Sequence, residues 1–359
     1  MTANQKKLFL NLCSFSSADG KEIEKNISKS MTPEVLGLLY ANRMQTVAYK
    51  VIEKFGLFDL LGTEVKRALR NSYMSDLMIN DSYMQCVDEL SQVLTQFDKK
   101  YAALKGAVLC RKYPLGCRTS NDVDILVSSD DVSGLGNILA ENGFVQGYVR
   151  DGAFYKASRK EIITSKMMRG ETVPYVKEVN KPLLKYFELD LNFSLDYKSG
   201  SDNAREMLLH TESVRIQNKK ILTLQPLFFF IHLCCHLYKE MTTLPWIKMK
   251  KDMTMYKFLD IAEFLRNIDG GTLFNLYHIT KKLGVVNECS CAILWTCSLI
   301  HVNNPFAAPQ AAVWLKGNEA LLHTVVSPSD NKKYIYKEER IAERFFLKDR
   351  VSNLVEIKN

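Results

Sequence analysis

The residues best placed to do chemistry lie in one short run, Arg118-Thr-Ser-Asn-Asp122-Val-Asp124-Ile-Leu-Val127. Residues two apart on a strand share a face. Asp122 and Asp124 therefore project together, while Val123, Ile125 and Val127 face a core. Two carboxylates side by side repel each other, so a chain that holds them there is expected to set a cation between them. Oxygen-only ligands suit Mg²⁺ or Mn²⁺, which in turn bind phosphates. A second run, Tyr186-Phe-Glu188-Leu-Asp190-Leu-Asn192-Phe-Ser-Leu195, alternates strictly. It sets Glu188, Asp190 and Asn192 on one face and Phe187, Leu189, Leu191 and Phe193 on the other. If the two strands are neighbours, a third carboxylate joins the first two. Two metals there can activate an attacking oxygen and stabilise a leaving pyrophosphate. A D-x-D pair alone is common on strand ends. Its context here is a glycine-bearing turn upstream, an arginine four residues before it and a second acidic strand downstream.

Together, Leu104-Lys105-Gly106-Ala-Val-Leu109, Tyr113-Pro114 and Arg118 to Val127 resemble the polymerase-β-type nucleotidyltransferases. More narrowly they resemble a bacterial family of uncharacterised nucleotidyltransferases, with the pattern L-K-G, Y-P, R-x-x-x-D-[IV]-D-[IL]-L-V. The resemblance implies that Asp122 and Asp124 bind the metals, that Asp190 completes the site, and that an NTP (ATP as the first guess) is the substrate. It puts Lys105 and Gly106 at the head of a helix, where free backbone N–H groups hold a triphosphate and the lysine reaches it as a point charge. Arg118 either clamps a phosphate or pairs with Asp122.

The chain also departs from the pattern. Fifteen residues separate Gly106 from Asp122, more than is usual in the superfamily, and Asn192 and Phe193 stand where the family typically has histidine and tryptophan. Glu188 is the alternative third acid. His232-Leu-Cys-Cys-His236 and Phe258-Leu-Asp-Ile-Ala262 resemble the family's helical C-terminal part. Members tend to occur near peptide natural-product gene sets, which implies a modified peptide or a protein side chain as acceptor. Two other readings stand beside this one. A glycosyltransferase would hold a nucleotide sugar through D-x-D and Mn²⁺, but such folds place an α/β half before the motif, where this chain reads as helical. A non-catalytic nucleotide sensor or scaffold is the other, and Asn192 lends it slight support.

The elements that must position these residues read as α+β, a small mixed sheet flanked by helical regions. The expected parts are 1–98 helical, 99–200 the nucleotidyltransferase core, and 201–359 helical. Thr32-Pro33-Glu34 is a helix start, with a capping hydroxyl, proline at the first position and an acid near the positive end. Apolar residues recur at helical spacing from there to Gly56, and again from Val65 to about Asp98. Tyr101 to Gly106 is a short apolar run, and Ala107 to Tyr113 opens a helix that Pro114 and Gly116 break. Ser128 to Asp131 caps a helix that ends at Asn142-Gly143. Asp151-Gly152 suits a type I′ hairpin turn. Lys198 to Asn203 reads as a linker, 226–266 and 272–325 as helical, and the C-terminus as a basic amphipathic tail.

Composition bounds the rest. The chain has 359 residues, 47% hydrophobic, enough for one large core or two ordinary ones. A net charge of +8 favours an anionic substrate but falls short of a nucleic-acid coating protein. No RRM, KH or helix-turn-helix signature appears, so no sequence-specific nucleic-acid binding is expected. The nine cysteines form no CxxC pair, which argues against a disulfide framework or zinc ribbon. The first residues lack a signal-peptide stretch, and cytoplasm is expected. Ile221 to Tyr238 is interrupted by Gln225, Pro226, His232 and His236, so a buried helix from Pro226 is expected rather than a membrane span. His232 and His236 lie one turn apart without the glutamate of HExxH and read as core. Lys156, Arg159, Lys160, Lys166, Arg169, Lys177, Lys181 and Lys185 read as a solvated loop, with a grip on the triphosphate or an anionic acceptor as the alternative.

Overall fold

The computed structural model describes residues 1–168, 170–195 and 203–357. The chain splits into two compact units, Asn71–Phe229 and Met1–Arg70 with Phe230–Asn359. Its divisions thus fall at residues 70 and 229, whereas the sequence placed them at 98 and 200.

The first unit is α+β. Its eight strands are β1 (Tyr101–Leu104), β2 (Asp122–Val127), β3 (Val145–Arg150), β4 (Ala153–Lys156), β5 (Tyr175–Lys181), β6 (Leu184–Asn192), β7 (Thr211–Ile216) and β8 (Lys219–Leu224). They form one sheet in the order β4-β3-β5-β6-β2-β1-β8-β7. β2 runs antiparallel to β1 and parallel to β6. Alternation sets the core. Val123, Ile125 and Val127 of β2 and Phe187, Leu189 and Leu191 of β6 are all buried, packed with Leu135 and Leu139 from the helix Val132–Glu141. Tyr83, Val87 and Leu90, from the long helix Thr63–Val93, complete that layer.

Local chemistry explains several elements. Asp151 and Gly152 both take positive φ (49° and 74°), as a type I′ turn between β3 and β4 requires. Thr32 caps the helix Pro33–Ala41 by accepting from the Val35 N–H. That helix stops at Asn42-Arg43, where Arg43 is left-handed (φ 56°), and a second begins at Gln45, so the stretch to Gly56 is two helices. The expected helix from Ala107 to Tyr113 shrinks to Gly106–Leu109. The helix from Val132 forms, but its N-cap Asp131 makes no side-chain cap bond.

The basic stretch is not a loop. It folds into the helix Arg159–Met168 and the strand β5, in which Lys181 pairs with Glu89 at 2.9 Å and Lys177 lies over the Phe144 ring. Arg169 and residues 198–202 of the expected linker lie outside the described residues, and Asn203 opens the helix Asn203–Leu208. Residues 211–224, which the sequence placed in the helical part 201–359, form the β7–β8 hairpin instead.

The second unit is mainly helical, with a three-stranded sheet of β9 (Thr324–Val326), β10 (Lys333–Tyr336) and β11 (Leu354–Glu356) in place of the expected tail. Proline does open the helix Pro226–Met241, and no helix is long and apolar enough to cross a membrane among the described residues. All nine cysteines are thiols. His232 and His236 stack with ring centroids 6.2 Å apart. One turn beyond, buried Glu240 takes His236 on one oxygen at 3.3 Å and the Lys257 ammonium on the other. Burial would raise the Glu240 pKa, but the His236 ring and the Lys257 ammonium outweigh it and hold the carboxyl at about 2.

Candidate functional site

The parallel register of β2 and β6 sets Asp122 opposite Glu188 and Asp124 opposite Asp190, with Asn192 beside Leu126. On the other side, Leu104 of β1 sits opposite Asp124. The next residue, Lys105, turns the chain with φ 45° and ψ −118°, a conformation that costs a non-glycine residue of order 1–3 kcal/mol. That turn returns its ammonium to Asp124, with Nζ 2.8 Å from Oδ1.

Each acid has a defined holder. Ser120 Oγ donates to Asp122 Oδ1 at 2.6 Å, and the Tyr83 hydroxyl donates to the Asp122 carbonyl at 2.8 Å. Asn192 Nδ2 donates to Asp124 Oδ1 at 3.2 Å and to the Asp190 carbonyl at 3.4 Å. Asn121 Nδ2 donates to Glu188 Oε1 at 3.1 Å. Asp190 keeps part of its surface open to solvent but lies deep among protein atoms. That burial, with the charges of Asp124, Asp122 and Glu171, pushes its pKa well above the ordinary carboxylate range against the pull of Lys105. Burial and then Asp122 raise Glu188 as well. Four acids on one patch of sheet thus crowd one another, as two alternating strands in parallel register must make them do.

Gly106 is required by approach and not by conformation, since its φ is not positive. A Cβ there would stand 2.6 Å from Ser120 Cβ, 2.8 Å from Ser120 Oγ and 3.1 Å from the Tyr83 hydroxyl. The lysine-glycine turn is therefore pressed against the two side chains that hold Asp122.

Asp122, Asp124 and Asp190 lie on the neighbouring strands β2 and β6, with Lys105 paired to Asp124 and Gly106 packed behind the turn. Arg118 is buried and donates Nη1 to the Thr119 carbonyl at 3.0 Å. Ser120, Asn121, Tyr83 and Glu171 escaped the sequence reading. Ser120 and Asn121 sit within two residues of Asp122, but neither type announces a role; Tyr83 comes from a helix 39 positions away. Asn192, which the alternation sets on the acid-bearing face and which departs from the family pattern, bonds directly to Asp124. Among the described residues, no three His, Cys, Asp or Glu side chains converge as a ready ligand set. Lys105 and Asn192 hold Asp124 instead.

The acids on two adjacent strands and the lysine-glycine turn beside them lie in the one mixed sheet of the first unit. The chain belongs to the uncharacterised nucleotidyltransferase family, whose model matches residues 29–299. An antigenic nucleotidyltransferase-like protein from Paracoccidioides brasiliensis, known from its crystal structure, is similar at 15% identity. The match covers 58% of this chain and 92% of that one, with a TM-score of 0.31. Comparison with curated proteins finds no match.

Proposed function

We propose that this protein moves a nucleoside monophosphate from an NTP, ATP first among them, to an acceptor hydroxyl or phosphate on a peptide or protein, with Mg²⁺ or Mn²⁺. The observation that carries the reading is the register placing Asp124 beside Asp190 and Asp122 beside Glu188, with a lysine ammonium at the Asp124 carboxylate. The donor set fits a divalent cation: it is all oxygen, and its members repel one another until a cation joins them.

When bound, such ions neutralise developing charge on the phosphates and activate the acceptor oxygen. The chain's own residues do the positioning. Ser120 and Tyr83 fix the carboxylate and backbone of Asp122, and Asn192 fixes Asp124, so the acids meet the ligand with little rearrangement. A helix of four residues carries little dipole, so the Lys105 point charge is assigned the larger share of phosphate binding. Arg118, buried nearby, is assigned a supporting charge.

The test is incubation with each α-labelled NTP and Mg²⁺ or Mn²⁺, with and without peptide and protein acceptors, beside the Asp122→Ala/Asp124→Ala double variant. Labelled acceptor and released pyrophosphate, both lost in the variant, support transfer. Tight NTP binding without pyrophosphate release would overturn it in favour of a nucleotide sensor, and turnover of nucleotide sugars in favour of a glycosyltransferase.

A further inference from the structure

The second unit holds a cavity of about 390 Å³ that nucleotidyl transfer leaves unused. Part of its wall is apolar, formed by Leu38 of the helix Pro33–Ala41 and by Met253, Phe345 and Phe346. Four cationic side chains also line it, against the single carboxylate of Glu34, among the described residues. Two of the four are committed elsewhere. Lys6 pairs with Glu343 at 2.6 Å, and Arg350 donates Nε and Nη2 to the two oxygens of buried Asp252, each at 2.7 Å. The other two, Lys250 and Lys348, are exposed, and their ammonium groups make no ion pair among the described residues. Gly37 adds an independent observation. It lies in the middle of the helix Pro33–Ala41, where glycine weakens a helix relative to alanine, and it lines the same cavity. Its φ is not positive, and a Cβ there would meet nothing within 4 Å. Neither backbone conformation nor packing within the chain therefore calls for glycine. What the missing side chain leaves is a bare stretch of helix backbone that a ligand can approach closely.

We infer that this cavity binds a small soluble organic phosphate, with its apolar body against Gly37, Leu38 and Phe346 and its phosphate dianion at Lys250 and Lys348. The two halves of the wall ask for the two halves of the ligand. An apolar body alone would leave both ammonium groups unused, and inorganic phosphate alone would leave the apolar wall in water. The size of the cavity is that of a small-molecule site, too small for the paired acyl chains of a membrane lipid. Arg350 and Lys6, held by their own carboxylates, add positive potential at fixed positions without having to be ordered when the ligand arrives. The inference stands apart from the function proposed above: every residue it uses belongs to the second unit, and the acids of β2 and β6 belong to the first.

The test is isothermal titration calorimetry of the full chain with naphthyl phosphate, beside naphthol as the body alone and inorganic phosphate as the head alone, all with EDTA present. Naphthyl phosphate is expected to fill one site at least about tenfold more tightly than either half. Lys250→Gln/Lys348→Gln, two changes at exposed positions, should weaken it about tenfold or more and leave naphthol where it was. Gly37→Phe, which puts a ring into the open space, should abolish binding of both naphthyl compounds. Gly37→Ala should raise the melting temperature of the ligand-free protein while lowering its affinity for naphthyl phosphate, a split that a purely structural glycine would not give. Wild-type affinity in Gly37→Phe or in Lys250→Gln/Lys348→Gln overturns the inference, as does equal binding of naphthol and naphthyl phosphate. Absence of naphthyl phosphate binding by wild type overturns it without any variant. Cosedimentation with phosphatidic acid vesicles, in a protein that ignores the soluble probe, overturns it in favour of a lipid headgroup.

Discussion

Gly106→Ala is the sharpest single perturbation, because one methyl group tests three contacts. The new Cβ would lie 2.6 Å from Ser120 Cβ and 3.1 Å from the Tyr83 hydroxyl, so Ser120, Tyr83 or the turn itself must move. Overpacking of this kind costs about 1–3 kcal/mol. Ser120 cannot retreat without loosening its 2.6 Å bond to Asp122, and a hydrogen bond to a charged group contributes about 1.5–3 kcal/mol. The expected loss is about 3 kcal/mol of unfolding free energy, measured by urea titration followed by circular dichroism. A displacement of Asp122 on the order of 1 Å should also lower nucleotidyl transfer about 100-fold. The compensating change is Ser120→Gly, which removes the atom the methyl strikes. In the double variant about 2 kcal/mol of stability should return, while transfer stays low because the hydroxyl that held Asp122 is gone. If Gly106→Ala falls within about 0.5 kcal/mol of wild type, or if Ser120→Gly returns none of the loss, the close approach is not what the glycine is for.

Three further outcomes follow from buried charges. Glu240 is held at about 2, below its ordinary value of 4.5, so its contribution of about 3 kcal/mol is complete above about pH 5 and vanishes as pH falls through 2. Urea titrations of Glu240→Gln should therefore show a deficit of that size at pH 7 that narrows on acidification; a deficit independent of pH would contradict the ion-pair account. Asp190 has the opposite sign. The folded protein binds its proton more tightly than the unfolded chain does, so metal-free protein should lose stability as pH rises from the ordinary carboxylate range to the raised value. That slope, measured with EDTA present, should flatten in Asp190→Asn. Arg344 is fully buried and spreads its guanidinium over the carbonyls of Leu322, Glu338 and Glu339 and the His323 ring. Lysine cannot span that fan, and thermal unfolding of Arg344→Lys should report a loss of about 2–4 kcal/mol.

What could be read in the sequence was whatever a period of two or a turn dipeptide encodes. Asp122-Val-Asp124 and the alternation of 186–195 fixed which side chains share a face, and Asp151-Gly152 fixed a hairpin. Strands without such a pattern were missed. β5 contains Lys177, Glu178 and Lys181, whose charges resemble a solvated run, but one edge of it pairs with β6 and its lysines find Glu89 and the Phe144 ring. The β7–β8 hairpin turns at Gln217-Asn218, with Gln217 left-handed at φ 41°, and this pair lacks the glycine that makes Asn-Gly or Asp-Gly a turn signature. The same limit applies at the site. Asp122 and Asp124 were legible because spacing along one strand determines their direction. Ser120, Tyr83 and the role of Gly106 were not, because they depend on which chain segments meet.

The acids owe their placement to the residues behind them. Two carboxylates on adjacent strands roughly 5 Å apart repel by about 3 kcal/mol at an effective dielectric near 20. The slip that would relieve this, one residue of β6 against β2, turns every β6 side chain to the opposite face. Phe187, Leu189 and Leu191 would then leave a core in which each is at most 2% exposed. Burying each contributes about 1.5–3 kcal/mol, so the slip would cost several kilocalories more than the repulsion it removes. Core packing therefore sets the register, and the register forces Asp124 beside Asp190. The residual repulsion is left for cations to relieve: Lys105 at Asp124 and, on the function proposed above, a divalent ion when an NTP is bound. Replacing Leu189 or Leu191 with a polar residue should accordingly weaken Mn²⁺ binding in the presence of a non-hydrolysable NTP analogue, although neither side chain faces the acids.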